Sequence, residues 1–91
     1  MRSDEMILGD MKAAAKAAVL GEADVPADSV AAYRFEDNYV VEFYCGEQRL
    51  YVSCHESLAL TTRGSFFAHA VTSLARETIK KYRDYLEHRP Q

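Results

Sequence analysis

The segment Tyr39–Cys54, YVVEFYCGEQRLYVSC, constrains the fold more than any other part of this chain. Two runs rich in Val, Tyr, Phe and Leu flank Gly46-Glu47, and glycine readily takes the positive φ that a type II′ turn needs at its first central position. The segment is therefore predicted to form a hairpin with strands 39–45 and 48–54.

Pairing counted outward from this turn, together with the alternation of side chains across a strand, separates two faces of the hairpin. The predicted core face carries Tyr39, Val41, Phe43, Cys45, Leu50, Val52 and Cys54. The predicted outer face carries Val40, Glu42, Tyr44, Arg49, Tyr51 and Ser53.

A third strand is needed because two strands alone are marginal in water, and residues 30–35 supply one with alternating Tyr33 and Phe35. A two-residue turn at Asp37-Asn38 would turn Arg34 toward the core. A three-residue loop over 36–38 instead places Tyr33 and Phe35 in the core, with Asn38 left-handed. We expect the three-residue loop, which leaves Arg34 on the outer face.

Two helices complete the predicted fold. Residues 3–20 begin with a capping Ser3 and continue with small apolar residues at helical spacing, and residues 65–87 repeat apolar positions every three to four residues before Pro90. The fold class is therefore α+β: an αβββα two-layer sandwich in which two helices pack on one face of a three-stranded antiparallel meander. Residues 1–91 are expected to form a single domain.

Residues 55–63, HESLALTTR, leave two structures open. Leu58 and Leu60 alternate as in a short fourth strand, but an irregular linker with two buried leucines fits equally well.

Charge is unevenly distributed. Through residue 60 eleven acidic residues stand against five basic ones, whereas the remainder carries six basic residues against three acidic ones. Such a chain can pair with itself or offer an acidic surface to a basic partner, although both regions also fit ordinary solvated faces. The N-terminal residues contain no apolar run of the length that a signal peptide or membrane span needs, so a cytoplasmic location without membrane contact is expected.

Enzymatic and metal chemistry find little support. Cys45 and Cys54 lie at opposite ends of the predicted hairpin, too far apart for a disulfide, and are expected to be buried. Cys54 and His55 point to opposite faces of an extended strand, so they cannot act together as nucleophile and base. The spacings of cysteine and histidine match no zinc motif. We expect no catalytic residue, no metal and no cofactor.

The outer face suggests binding of a protein partner through Arg34, Glu42, Tyr44, Arg49 and Tyr51. Tyr and Arg are enriched in binding hot spots, but the same residues could serve only as cross-strand pairs. The last turns of the long helix extend past the sheet and still carry Ile79, Tyr82, Tyr85 and Leu86. These residues need cover from the first helix, from residues 55–63 or from a second copy, and we expect a homodimer through this helix.

The order of elements resembles that of double-stranded-RNA-binding domains. That family places a lysine-rich patch at the start of its last helix, where this chain has Arg63-Gly64-Ser65-Phe66-Phe67, so nucleic-acid binding is disfavoured. In size and charge the chain resembles small acidic inhibitors of phages and mobile elements, including anti-CRISPR and immunity proteins. The expected function is therefore a non-enzymatic inhibitor or regulator that occludes a partner protein. The alternatives are a double-stranded-RNA-binding module and a small cysteine-dependent enzyme.

Overall fold

A computed structural model describes residues 3–62 and 64–89 and confirms the predicted α+β class, with an open three-stranded antiparallel sheet and the long helices on one side of it. Arg63 and Pro90, on which two of the sequence-based expectations rest, lie outside the described residues. The elements are α1 (Asp4–Val19), β1 (Ala31–Phe35), β2 (Asn38–Cys45), β3 (Gln48–His55), α2 (Glu56–Thr61) and α3 (Gly64–His88), with a single 3₁₀ turn over Ala27–Ser29.

The β2–β3 hairpin has the register that the turn predicted. Tyr44 pairs with Arg49, Glu42 with Tyr51 and Val40 with Ser53 in the antiparallel ladder. Gly46 has a φ of 62°, the conformation that a type II′ turn requires at this position and that glycine adopts without steric cost. The two faces of the hairpin are therefore those expected from the sequence.

The predicted register of β1 is wrong. The loop between β1 and β2 contains only Glu36 and Asp37, because Phe35 pairs with Asn38 and Tyr33 pairs with Val40. Glu36, rather than Asn38, takes the positive φ, at 53°. Since a shift of one residue moves every side chain to the opposite face of a strand, Tyr33 and Phe35 lie on the outer face and Arg34 points toward the helices.

Of the segment 55–63 the structure describes residues 55–62, and these form neither a fourth strand nor an irregular linker. The segment forms the short helix α2, whose N-cap is His55, because Nδ1 of His55 accepts a hydrogen bond from the backbone N–H of Ser57 at 3.2 Å. Ala59 is the buried residue of this helix, while Leu58 and Leu60, the two leucines expected to be buried, are exposed.

The core lies between the helices and the inner face of the sheet. Apolar side chains from α1, all three strands, α2 and α3 meet there, led by Tyr39, Phe43, Phe67, Ile7 and Met11. Small residues let α1 and α3 approach closely enough for the hydroxyl of Thr72 to donate to the carbonyl of Ala14 at 3.2 Å. Further along, Arg83 reaches Glu22 beyond the end of α1, so α1 and α3 run in the same direction.

Candidate functional site

The outer face of the sheet is the side that the helices leave bare. Side chains that point to this side include Tyr33 and Phe35 of β1, Val40, Glu42 and Tyr44 of β2, and Arg49, Tyr51 and Ser53 of β3. Part of the face forms a shallow cleft of about 380 Å³ whose lining comprises Tyr33, Phe35, Asn38, Val40, Arg49, Tyr51 and Ser53. We refer to its apolar, aromatic and charged members, Tyr33, Phe35, Val40, Arg49 and Tyr51, as the aromatic cleft.

Val40 forms the floor of the aromatic cleft. It retains only 6% of its exposure although it does not belong to the hydrophobic core between sheet and helices. Its cross-strand partner Tyr33 and the neighbouring rings must therefore cover it. In contrast, Phe35 and Tyr51 remain 60% and 61% exposed. A buried aliphatic floor between exposed rings can receive an apolar side chain from another molecule.

The charges around the aromatic cleft are mainly acidic. The guanidinium of Arg49 pairs with the carboxylate of Glu42 at 3.3 Å across the β2–β3 ladder, which neutralises both. The exposed acids Glu36 and Asp37 lie in the turn at one end of the sheet, and the exposed Glu47 lies in the turn at the other end. The sheet face therefore presents apolar and aromatic surface between two acidic ends.

Arg34 does not belong to this face, so its predicted place on the outer face is wrong. One guanidinium nitrogen of Arg34 lies 3.3 Å from Asp4 of α1, the other pairs with Glu56 of α2, and Nε donates to the carbonyl of Glu36 at 2.8 Å. The guanidinium also lies 4.6 Å from the ring centroid of Tyr39. Arg34 thus connects β1 to both neighbouring helices and is a structural residue.

Tyr39 completes this contact between α1 and the sheet. Its hydroxyl donates to the Asp4 carboxylate at 2.6 Å, and this hydrogen bond, together with burial of the ring, raises the pKa of Tyr39. We refer to Asp4, Arg34, Tyr39 and Glu56 as the Arg34 cluster.

Of the five residues predicted for partner binding, the structure brings Glu42, Tyr44, Arg49 and Tyr51 together on the outer face. Sequence reasoning missed Tyr33 and Phe35, because the three-residue loop placed them in the core. In β1, Ala32 and Arg34 alternate with two aromatic residues. Aromatic residues usually mark the buried side of a strand, so this pattern favoured the wrong face. A two-residue loop at Glu36-Asp37 would have placed them correctly, but it requires a glutamate at positive φ, which is uncommon.

The four residues predicted for a helix-mediated homodimer differ in how far the structure buries them. Ile79 is buried in the core of the single chain, so its predicted place in a dimer interface is wrong, and Tyr82 is partly buried against that core. Tyr85 and Leu86 remain exposed on α3.

Both cysteines are free and buried, as expected. Burial raises the pKa of the Cys54 thiol. Burial also raises the pKa of Cys45, and so does the hydrogen bond that its Sγ donates to Asp24 at 3.3 Å. Both thiols are therefore held in the protonated form, whereas a nucleophilic cysteine needs a lowered pKa.

Asp24 also accepts a hydrogen bond from Arg83 of α3 at 2.5 Å. This arginine, and secondarily the Cys45 thiol, lower the pKa of Asp24. The contact ties the loop after α1 to the end of α3.

Among residues 3–62 and 64–89, no group of three or more His, Cys, Asp or Glu side chains is arranged to hold a metal ion. Within the same residues, none of the helices combines the length and the apolarity that crossing a lipid bilayer would require. No protein-family model matches this chain, and it matches neither a curated protein nor a solved structure.

Proposed function

We propose that this protein is a non-enzymatic binding module that occludes a partner protein through the outer face of its sheet. The observation that carries the proposal is the aromatic cleft, in which Val40 is buried while Phe35 and Tyr51 stay exposed on the side opposite the helices. Exposed aromatic residues around an apolar floor are typical of interface hot spots, because they bring large contact area at a small cost in side-chain entropy.

The partner's contact surface is proposed to be basic and partly apolar. Glu36, Asp37 and Glu47 are exposed at the two ends of the sheet, whereas Arg49 is already paired with Glu42. A Lys or Arg side chain could lay its aliphatic part on an exposed ring and direct its charge toward these acids. Binding driven in this way weakens as salt increases.

Small size, acidic charge and an occluding surface suit an inhibitor or regulator that acts in the cytoplasm. Inhibitors of phages and mobile elements, of the anti-CRISPR or immunity type, are the class we propose. Nucleic acid is a poor alternative for the outer face, because the one arginine in the aromatic cleft is neutralised by Glu42 and phosphate contacts dominate nucleic-acid affinity.

The test compares proteins retained from the source cells by the immobilised wild-type chain and by two double variants. Tyr33→Ala with Phe35→Ala removes one side of the aromatic cleft. Met6→Ala with Leu20→Ala is the matched control, since both residues are exposed apolar side chains of the α1 region. Thermal melting must first show that both double variants are folded.

We expect a retained protein that the control variant keeps and the cleft variant loses. With the purified partner, calorimetry should then show affinity about 30-fold lower or worse for the cleft variant, as loss of a hot spot implies. Equal retention by all three proteins would refute the proposed site, and recovery of RNA or DNA as the ligand would refute the proposed partner class.

A further inference from the structure

The two edges of the sheet differ in how well they are protected against pairing with another strand. β1 has five residues, and its inward-facing side chains include the charged Arg34. Short length and an inward charge are both recognised ways of blocking an edge. β3 has eight residues, and its inward-facing Leu50, Val52 and Cys54 are uncharged. The β3 edge therefore lacks both protections.

The hairpin geometry shows which backbone groups of β3 face this edge. In a two-residue hairpin the pair next to the turn, Cys45 with Gln48, is hydrogen-bonded, and hydrogen-bonded pairs then alternate along the ladder. The N–H and C=O groups of Arg49, Tyr51 and Ser53 consequently point away from β2. The amide side chain of Gln48 supports this direction, because its Nε2 donates to the carbonyl of Arg49 at 3.1 Å.

Beyond β3 the described sheet has no further strand. Three residues thus present a donor and an acceptor each along an edge of about 27 Å, at roughly 3.4 Å per residue. Such a row is a template for another strand.

The neighbouring side of α3 is apolar. Thr72 and Arg83 mark the side of α3 that contacts α1 and the loop after it, and α3 also packs on β3. Residues half a turn away, which include Leu74 and Tyr85, therefore lie on the β3 side of the helix. Leu74 is 40% exposed and Tyr85 is 62% exposed. We refer to these two residues as the α3 flank.

Glu77 and Lys81 lie beside the α3 flank, and the carboxylate of Glu77 pairs with the ammonium of Lys81 at 3.1 Å. These two charges therefore offset each other.

We propose that the β3 edge and the α3 flank together bind a second copy of this chain, with β3 pairing antiparallel to its own copy. A two-fold axis at Tyr51 pairs every edge-facing residue: Tyr51 with itself, and Arg49 with Ser53 of the other copy. Like charges do not oppose each other in this register, and the two three-stranded sheets become one sheet of six strands. The side chain of Gln48 swings aside or shares the Arg49 carbonyl.

The size of this side of the molecule fits a dimer. An edge of about 27 Å combined with the shortest extent of the molecule, 20 Å, gives a projected area of about 540 Å², which is within a factor of two of the ~800 Å² that each partner buries in a standard interface. The dimer would also join the two aromatic clefts across Tyr51. The two proposals are tested separately, because the variants that test partner binding lie on β1 and leave the β3 edge unchanged.

The first test measures amide hydrogen exchange and mass of the wild-type chain from about 5 to about 500 µM, a range over which mass action populates a dimer. We expect the mass to approach twice the 10.3 kDa of one chain. The amides of Arg49, Tyr51 and Ser53 should exchange at least about tenfold more slowly at the high concentration, because they gain partners only in the dimer. The amide of Val52, which bonds to β2, serves as the internal reference.

The second test uses variants. Ser53→Pro removes an edge-facing N–H without touching the β2–β3 ladder, and edge positions are where strands tolerate proline. Across the two-fold axis it removes two hydrogen bonds, which should raise the dissociation constant of the dimer by about 30-fold. Ser53→Ala is the matched control. Leu74→Glu should also give monomers, whereas Leu20→Glu, on the α1 side, should not.

A chain that stays monomeric at the highest concentration would overturn the proposal. A dimer in which the three edge amides exchange at the monomer's rate would overturn it as well, because the copies would then meet elsewhere. Protection of these amides in a monomeric chain, on addition of an extended peptide from another protein, would assign the edge to a foreign strand instead.

Discussion

Replacing Glu36 with glycine should stabilise the protein, because Glu36 lies in a two-residue turn at a position that favours glycine. Glu36 has a φ of 53°, where a residue with a Cβ atom pays about 1–2 kcal/mol. Glycine removes this cost but loses about 0.5–1 kcal/mol more backbone entropy on folding. The net gain is about 0–1.5 kcal/mol, and its central value of about 0.75 kcal/mol corresponds to a melting temperature about 3–6 °C higher for a domain of this size. The backbone carbonyl that accepts from Arg34 is retained.

The informative control is Asn38→Gly. Asn38 is a strand residue paired with Phe35 and with His55, so glycine there should lower stability by about 0.5–1 kcal/mol. A three-residue loop would reverse both signs, because Asn38 would then be the left-handed residue. Urea and thermal unfolding of the two variants distinguish the loops. If Asn38→Gly stabilised the chain and Glu36→Gly weakened it, the register of β1 would be wrong, and Tyr33 and Phe35 would leave the outer face.

Three further outcomes follow from the same structure. Arg34→Ala should lower the melting temperature in thermal scans at least twice as much as Arg49→Ala does. The reason is that Arg34 contacts two helices and the ring of Tyr39, whereas Arg49 has one ion pair. Equal losses of melting temperature would contradict the structural role of Arg34. Cys45 and Cys54 should resist iodoacetamide until the chain unfolds, since both are buried with raised pKa values; rapid native labelling would argue against their burial. Asp24, whose pKa is lowered in the folded state, contributes stability that is present above its unfolded pKa near 3.9 and is lost as pH falls through the lower folded value. The difference in melting temperature between the wild-type chain and Asp24→Asn should therefore shrink below about pH 4, and a constant difference would show that the arginine contact does not depend on the charge.

The sequence determined the β2–β3 hairpin because one short turn fixes the pairing of every residue that follows it. Gly46 identified that turn, and alternation then assigned both faces. The β1–β2 loop offered no such marker. Its positive φ falls on a glutamate, and the apolar alternation of β1 favoured the wrong face for Tyr33 and Phe35.

Long-range partners explain the remaining differences. Arg34 can turn inward only because Asp4 and Glu56, thirty and twenty-two residues away, supply its counter-charges, and no local pattern indicates this. Helix α2 is too short to show a helical period, and its start depends on the side chain of His55 as a cap. The inward position of Arg34 and the start of α2 both depend on contacts that the local sequence does not indicate.

The register of β1 bears directly on the proposed function. The alternative register would bury Phe35 and Tyr33 beneath the helices, and burying a phenylalanine side chain contributes about 1.5–3 kcal/mol. The chain instead leaves Phe35 60% exposed and uses the Arg34 cluster to hold β1 in this register. Departures from the usual burial of aromatic residues are expected where function requires the exposed surface. Stability alone would favour the buried ring, so the exposed aromatic cleft argues for a surface that another molecule covers.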